Sequence, residues 1–236
     1  MPRVKATTFS SPGTWTWMKD PGTYEVDLII RAAGGGGSLP TAANANGHGG
    51  GGGAATDLPR RIPASQINPT VTVIVGSGGN GGTLANRTGG NGGASSFGDI
   101  VLEGGYGATS TAFGRGGYGP LKGGDGAQAG QSASPSQAFP VTILSGGGGG
   151  GGAENGNGGA AGTTAGGLSG AVGVSPNLWQ QCRSGSGGGG YKSGGTPGHG
   201  GFPAGGGGGG FSSANGLNPG GNGAHGCVTV LEYILD

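Results

Sequence analysis

Histidine, cysteine and carboxylate side chains are the groups from which a catalytic or metal site could be built, and this chain has few of them. There are three histidines, two cysteines and ten carboxylates in 236 residues. His225 and Cys227 form the one close His/Cys pair, in "HGC". A zinc site normally takes four such ligands, so this pair does not make one. The carboxylates are dispersed, and no Ser-His-Asp order stands out. "GGGGGA" at Gly49–Ala54 matches a relaxed dinucleotide fingerprint without a strand directly before it or a helix after it. "GSGGGGYKS" at Gly185–Ser193 approaches a phosphate-binding loop, but Tyr191 stands where glycine must precede Lys-Ser. "FGRGGYG" at Phe113–Gly119 is a single arginine-glycine box on a chain of net charge +1, too weakly basic for nucleic acid. The expectation is a protein that is not an enzyme and has no cofactor, metal or nucleic-acid site.

Binding chemistry is better represented. "SPNLWQQCRSG" carries Trp179, Gln180, Gln181 and Arg183, and "GGYKSGGTPGHGGFPAG" carries Tyr191, Lys192, His199 and Phe202. Phe113, Arg115 and Tyr118 form a third set. Trp, Tyr and Arg dominate binding hot spots. The candidate partner-contacting residues are therefore Phe113, Arg115, Tyr118, Trp179, Gln180, Arg183, Tyr191, Lys192 and Phe202. The competing reading is that these side chains cap the ends of the scaffold or pack on its base.

The scaffold must be built mostly from glycine, which supplies 69 residues, roughly four times the usual share of about 7%. Charged residues are only 9%, unlike most disordered chains. The start, "MPRVKATTFSSPGTWTW", lacks the apolar core of a signal peptide, and no apolar run approaches the ~20 residues of a membrane span. Synthesis in a cytoplasm is expected.

Apolar residues cluster in short islands with period-two alternation. These are "GTWTWM", with Trp15 and Trp17 on one core-facing side, "TYEVDLII", "PTVTVIVG", the shorter "FGDIVLEGG" and "PVTILSGG", and a closing strand from Cys227 to Leu235. In "TYEVDLII", Tyr24, Val26, Leu28 and Ile30 face one way and Glu25, Asp27 and Ile29 the other. Each of these islands between the first and the closing strand runs into glycine. Flexible linker is one reading of such tracts. Ordering them costs roughly 0.5–1 kcal/mol more per glycine than alanine, which only a dense set of main-chain hydrogen bonds could offset. Polyproline-II-type helices, with three residues per turn and outward-pointing amides, supply such a set when packed side by side. Strict Gly-X-Y is absent, which excludes collagen, and no small-residue repeat at every third position is evident.

The predicted fold is all-β plus polyglycine-II. A small discontinuous β-sandwich-like base carries a packed bundle of glycine-rich helices, with almost no α-helix. First base strands occupy 1–34, a glycine-rich excursion 35–63, and further base strands with a glycine-rich loop 64–103. The bundle spans 104–226, with one short strand near 141–144, and the closing strand spans 227–236. Distinctive residues would then sit in turns at the bundle ends.

The order of these pieces resembles a family of glycine-rich tail proteins of phages and prophages. The matching pieces are "FSSPGTWTW", "DPGTYEVDLII" with "RAAGGGGS", "INPTVTVIVGSGGNGG", "GGNGGASSFG" and the final "GCVTVLEY". The turn "MKDPGTYEV" replaces the family's commoner Lys-Pro form, and Ile234–Asp236 extend past its usual end. The resemblance implies a virion location in a bacteriophage tail near the host-facing end, after synthesis in the host cytoplasm. It is similar in design to polyglycine-bundle adhesins at tail-fibre tips. The implied partners are other phage tail proteins and a bacterial surface receptor, protein or glycan. A homotrimer, or a cap on a trimeric fibre, is implied as well. The alternatives are a tail-tip spacer without a receptor and, from another class, an ice-binding or extracellular-matrix glycine-rich protein.

Overall fold

A computed structural model describes residues 3–42, 45–56, 60–133, 156–159, 166–168, 171–176, 184–191, 196–213 and 216–235. Among them the elements are nearly all strand, and the one helical element is a 3-10 turn at Ala64–Gln66. The strand expected near 141–144 lies outside the described residues.

The base is two four-stranded antiparallel sheets. The first contains β1 (Arg3–Phe9), β3 (Thr23–Arg31), β5 (Arg60–Pro63) and β11 (Cys227–Ile234), in the order β1-β11-β3-β5. The second contains β2 (Gly13–Met18), β6 (Thr70–Val75), β7 (Ser95–Phe97) and β8 (Ile100–Leu102), in the order β2-β6-β7-β8. The closing strand returns to the centre of the first sheet, between β1 and β3. Val26, Leu28, Ile30, Val228 and Val230 pack with Trp17, Val73, Val75, Phe97 and Leu102 in one apolar core. Trp17 meets Phe97 edge-on at 5.2 Å. Two expectations need correction. Trp15 shares the alternation of Trp17 but stays 41% exposed: it lies tilted against Phe9 at 6.3 Å with its Nε1 donating to Ser11 O at 3.0 Å, away from the Phe97 contact that covers Trp17. Ile29, assigned to the polar side of β3, is buried. It pairs with Thr229 on a face where the buried Arg31 reaches over Cys227 and Thr229.

Strands run on into glycine without a turn. β3 continues into 32–38, β6 into 76–82 and β8 into 103–109, while 88–94 enters β7 and 219–226 enters β11. Both conformations are extended, at about 3.3 Å per residue in a strand and about 3.1 Å in a polyproline-II turn, so the backbone passes between them easily.

The run 32–39 shows how the bundle is held. Its amides donate in rotation to three neighbours. Ala32, Gly35 and Ser38 bond to Ala54, Gly51 and His48. Ala33, Gly36 and Leu39 bond to Gly93, Gly90 and Arg87, and Gly34 and Gly37 to Ala224 and Gly221. Partner numbers fall by three as the run advances, so these three neighbours are antiparallel. Its carbonyls accept in the same rotation from three parallel neighbours: Gly105 and Ala108, Gly79 and Gly82, and Gly207 and Gly210. The run therefore has six hydrogen-bonded neighbours, the hexagonal packing expected of polyglycine-II.

The same geometry explains the glycine. A Cβ built on Gly34, Gly35, Gly36 or Gly37 would fall on the carbonyl of Gly205, Tyr106, Asn80 or Gly208. All four carbonyls belong to parallel neighbours. Each inner residue is thus closed by an N–H bond toward one run and a Cα–H approach toward another, a weak contact that recurs throughout.

Outer runs need only two glycines in three. Seven segments place a larger residue at every third position: "SGGNGGT" at 77–83, "TGGNGGA" at 88–94, "EGGYGAT" at 103–109, "AFGRGGY" at 112–118, "KGGDGAQ" at 122–128, "TPGHGGF" at 196–202 and "PGGNGAH" at 219–225. In every one, the first, fourth and seventh residues are exposed or half-exposed, while those between are mostly buried, except in 88–94, where Gly90, Gly92 and Gly93 are half-buried. The inner stretches 32–38, 47–54, 184–190 and 204–210 are buried throughout. The third-position repeat is therefore one of larger residues between paired glycines, a different pattern from the small-residue repeat that the sequence lacks. The repeat is confined to runs with one open side.

Gly36→Ala, in the centre of the inner run, should therefore destabilise by about 3 kcal/mol or more, since rigid backbone cannot yield as side chains do. Ala94→Ser, on an outward position, should stay within about 0.5 kcal/mol. Denaturant unfolding of both variants measures the difference.

Candidate functional site

The bundle has a base end and a far end. At the far end lie the turn Thr83–Thr88, the turn Thr109–Phe113, and a small sheet of β4 (Ala45–Asn46), β9 (Phe211–Ser213) and β10 (Gly216–Asn218), ordered β10-β9-β4. Tyr191 stacks on Phe211 there, with ring centroids 4.7 Å apart and planes 9° apart. Leu84 is exposed in its turn. Side-chain hydrogen bonds shape the turns: Thr109 Oγ1 accepts the Ala112 amide at 3.0 Å, and Asn86 Oδ1 accepts the Thr88 amide at 3.2 Å. Arg87 donates to the Pro40 carbonyl.

On the sides, outer runs carry amides with no neighbouring run to receive them. Side chains on adjacent runs take that role. Asn222 Oδ1 accepts from Gly81 at 2.7 Å, Asn91 Oδ1 from Gly107 at 2.9 Å and Asp125 Oδ1 from Gly116 at 2.8 Å. All three histidines act in this way through Nδ1. His225 accepts from Gly78 and His199 from Asn222, both at 2.9 Å, and His48 from Ala129 at 3.1 Å. The polar residues at third positions thus lace the bundle's surface, which is a structural use of residues that a metal reading would have claimed. Among the described residues, no group of three His, Cys, Asp or Glu could hold a metal ion. Cys227 begins β11 as a buried free thiol.

The expected contact residues are not one site. Phe113 and Tyr191 are half-buried at the far end. Arg115 and Tyr118 project from the side of the bundle, three and six positions along from the exposed Ala112. Phe202 is exposed at the base end of 196–202, with its amide donating to Ser175 Oγ at 2.9 Å. Trp179, Gln180, Arg183 and Lys192 lie outside the described residues. Sequence reasoning missed Tyr106, which is 38% exposed beside Arg115, and Phe211, the stacking partner of Tyr191. The third-position period of "EGGYGAT" is the signal that would have found Tyr106.

Two acid-sensitive contacts follow from the electrostatics. Burial pushes the Asp27 carboxyl up, but hydrogen bonds from Arg61 and Tyr233 outweigh it and hold it below its ordinary value. At the far end, burial pushes the His48 imidazole down, against a hydrogen bond to the Ser110 backbone. For His48 the unfolded chain takes up a proton below about pH 6.5 while the folded chain resists it. Its contribution is thus complete above that pH and is lost as pH falls. Thermal unfolding between pH 7 and pH 5 should show falling stability, and His48→Asn should flatten the dependence. Asn222→Ala, which leaves the Gly81 amide to water, should cost about 1 kcal/mol in denaturant unfolding.

A family model described as a glycine-rich domain matches residues 8–233. No curated protein matches the chain. The match spans the base and the bundle together, from the last residues of β1 to Tyr233 in β11. The chain belongs to this glycine-rich domain family.

Proposed function

We propose that the protein is a structural component of a bacteriophage tail, a minor tail or tail-fibre protein near the host-facing end, and that it recognises a bacterial surface receptor through the far-end turns. The reading is supported by the order of sequence pieces shared with glycine-rich tail proteins. The observation that carries it is the division of labour along the molecule. Glycine runs leave the β base and return to it, so the residues free of packing constraint collect in turns at the opposite end. Turns on a rigid support vary without cost to the fold, as receptor recognition requires. The base, with exposed Val4, Met18 and Val101 on its sheets, would dock on other tail proteins or on further copies of this chain, as a trimer or as a cap on a trimeric fibre.

Fluorescently labelled protein should bind saturably to a narrow set of intact bacterial strains. Leu84→Ser with Tyr191→Ala should reduce that binding at least tenfold while the protein stays folded. Absence of binding to every strain in a broad panel would contradict receptor recognition and leave a spacer role.

A further inference from the structure

Three adjacent outer runs form a regular face that the far-end reading does not use. Glu103 N donates to Tyr118 O at 3.1 Å and Tyr106 N to Arg115 O at 2.8 Å, which sets 103–109 level with 112–118. Gly123 and Gly126 donate to Gly117 and Gly114, which sets 122–128 level with both. The outward residues therefore form rows. Glu103, Tyr118 and Lys122 make the row nearest the base, and Tyr106, Arg115 and Asp125 make the next. Rows are about 9 Å apart along the bundle, three residues of polyproline-II rise. The neighbouring face, formed by 77–83, 88–94 and 219–225, has Asn80, Asn91 and Asn222 at the middle level and no carboxylate, lysine or arginine.

Packing does not account for this difference. An outward position asks for a side chain that reaches solvent and, in places, accepts an amide of the adjacent run, as Asp125 does from Gly116 and Glu103 from Tyr118; neither role calls for Tyr or Arg. Tyr106 and Tyr118 are nevertheless 38% and 54% exposed. Their surroundings hold them in place. Glu103 accepts the Tyr106 hydroxyl at 3.2 Å and the Tyr118 amide at 3.3 Å. Lys122 lies 6.0 Å from the Tyr118 ring centre and 2.8 Å from the Asp125 carboxylate. Arg115, exposed in the row of Tyr106 and one row from Tyr118, makes no side-chain hydrogen bond or ion pair among the described residues.

The chemistry of a partner follows. The face has no side chain of the Leu, Ile, Val or Met type, so it lacks the apolar centre of a protein interface. Tyrosine rings offer flat apolar surface at low entropic cost, suited to the C–H faces of sugar rings. A guanidinium with no ion pair among the described residues fits a carboxylate through two parallel bonds. Rows repeated along the bundle suit an extended ligand. We propose that this face binds an extended saccharide chain bearing carboxylate groups, with Arg115 holding a carboxylate and Tyr106 and Tyr118 stacking on sugar rings. The proposal is independent of what the far-end turns contact.

Binding of the full chain to immobilised alginate, a uronic-acid polymer, and to uncharged dextran tests it. Wild type should prefer alginate at least tenfold. Arg115→Gln should abolish the preference, and Tyr106→Ala with Tyr118→Ala should weaken binding at least tenfold. Asn80→Ala, on the uncharged face, should leave binding unchanged. Thermal unfolding confirms that each variant is folded, which exposed positions permit. Equal binding to the two polymers, no binding to alginate, or undiminished alginate binding by Arg115→Gln would each overturn the proposal.

Discussion

A polyproline-II turn cannot bond to itself, and the structure depends on that fact. With three residues per turn, successive amides leave the helix in three directions, and each must find a carbonyl on another run. One run alone would leave every main-chain group to water. Seven runs together close the centre completely, as 32–39 and its six neighbours show. The bundle is cooperative for this reason. It also needs glycine for a steric reason, because the carbonyls of parallel neighbours lie where a Cβ would stand.

The β base solves the problem of starting such a bundle. Ordering glycine is entropically expensive, and the runs bury little apolar surface of their own. The sandwich buries Trp17, Phe97 and a set of Val, Leu and Ile side chains instead. Its strands leave as glycine runs already spaced, directed and in register. β3 feeds the central run and β11 receives the last outer run, so hydrophobic burial at one end sets main-chain pairing along the rest. Open sides then decide where sequence can vary. Inner runs are glycine and small residues apart from His48 at the far end of 47–54, outer runs allow one free choice in three, and turns allow more.

Much of this was legible in the amino-acid sequence. Strand alternation located β2, β3, β6 and β11, and the absence of helical periodicity with dense glycine pointed to a main-chain-bonded bundle. β5 was hidden, since "RRIP" has no alternation and is defined only by its pairing with β3. The third-position repeat was hidden because inner and outer runs interleave along the chain, and pure glycine inner runs break the period wherever it begins to show. The candidate site was legible in part. Arg115 and Tyr118 are outward because they lie three residues apart. Phe113, two residues before Arg115, falls off that period and turns into the far end. Trp15 and Trp17 look equivalent in sequence, and only the tertiary contacts separate them: Trp17 meets Phe97 in the core, while Trp15 lies against Phe9.

Amide hydrogen exchange across Gly34–Gly37 tests the central claim most directly. Each of these four amides bonds to a different carbonyl inside the bundle, at 2.8–2.9 Å. The account predicts exchange slowed to the rate set by global unfolding, with all four amides protected alike. Exchange at the rate of an unstructured glycine peptide, while β3 and β11 remain protected, would contradict it and leave a folded β base carrying loose glycine chains.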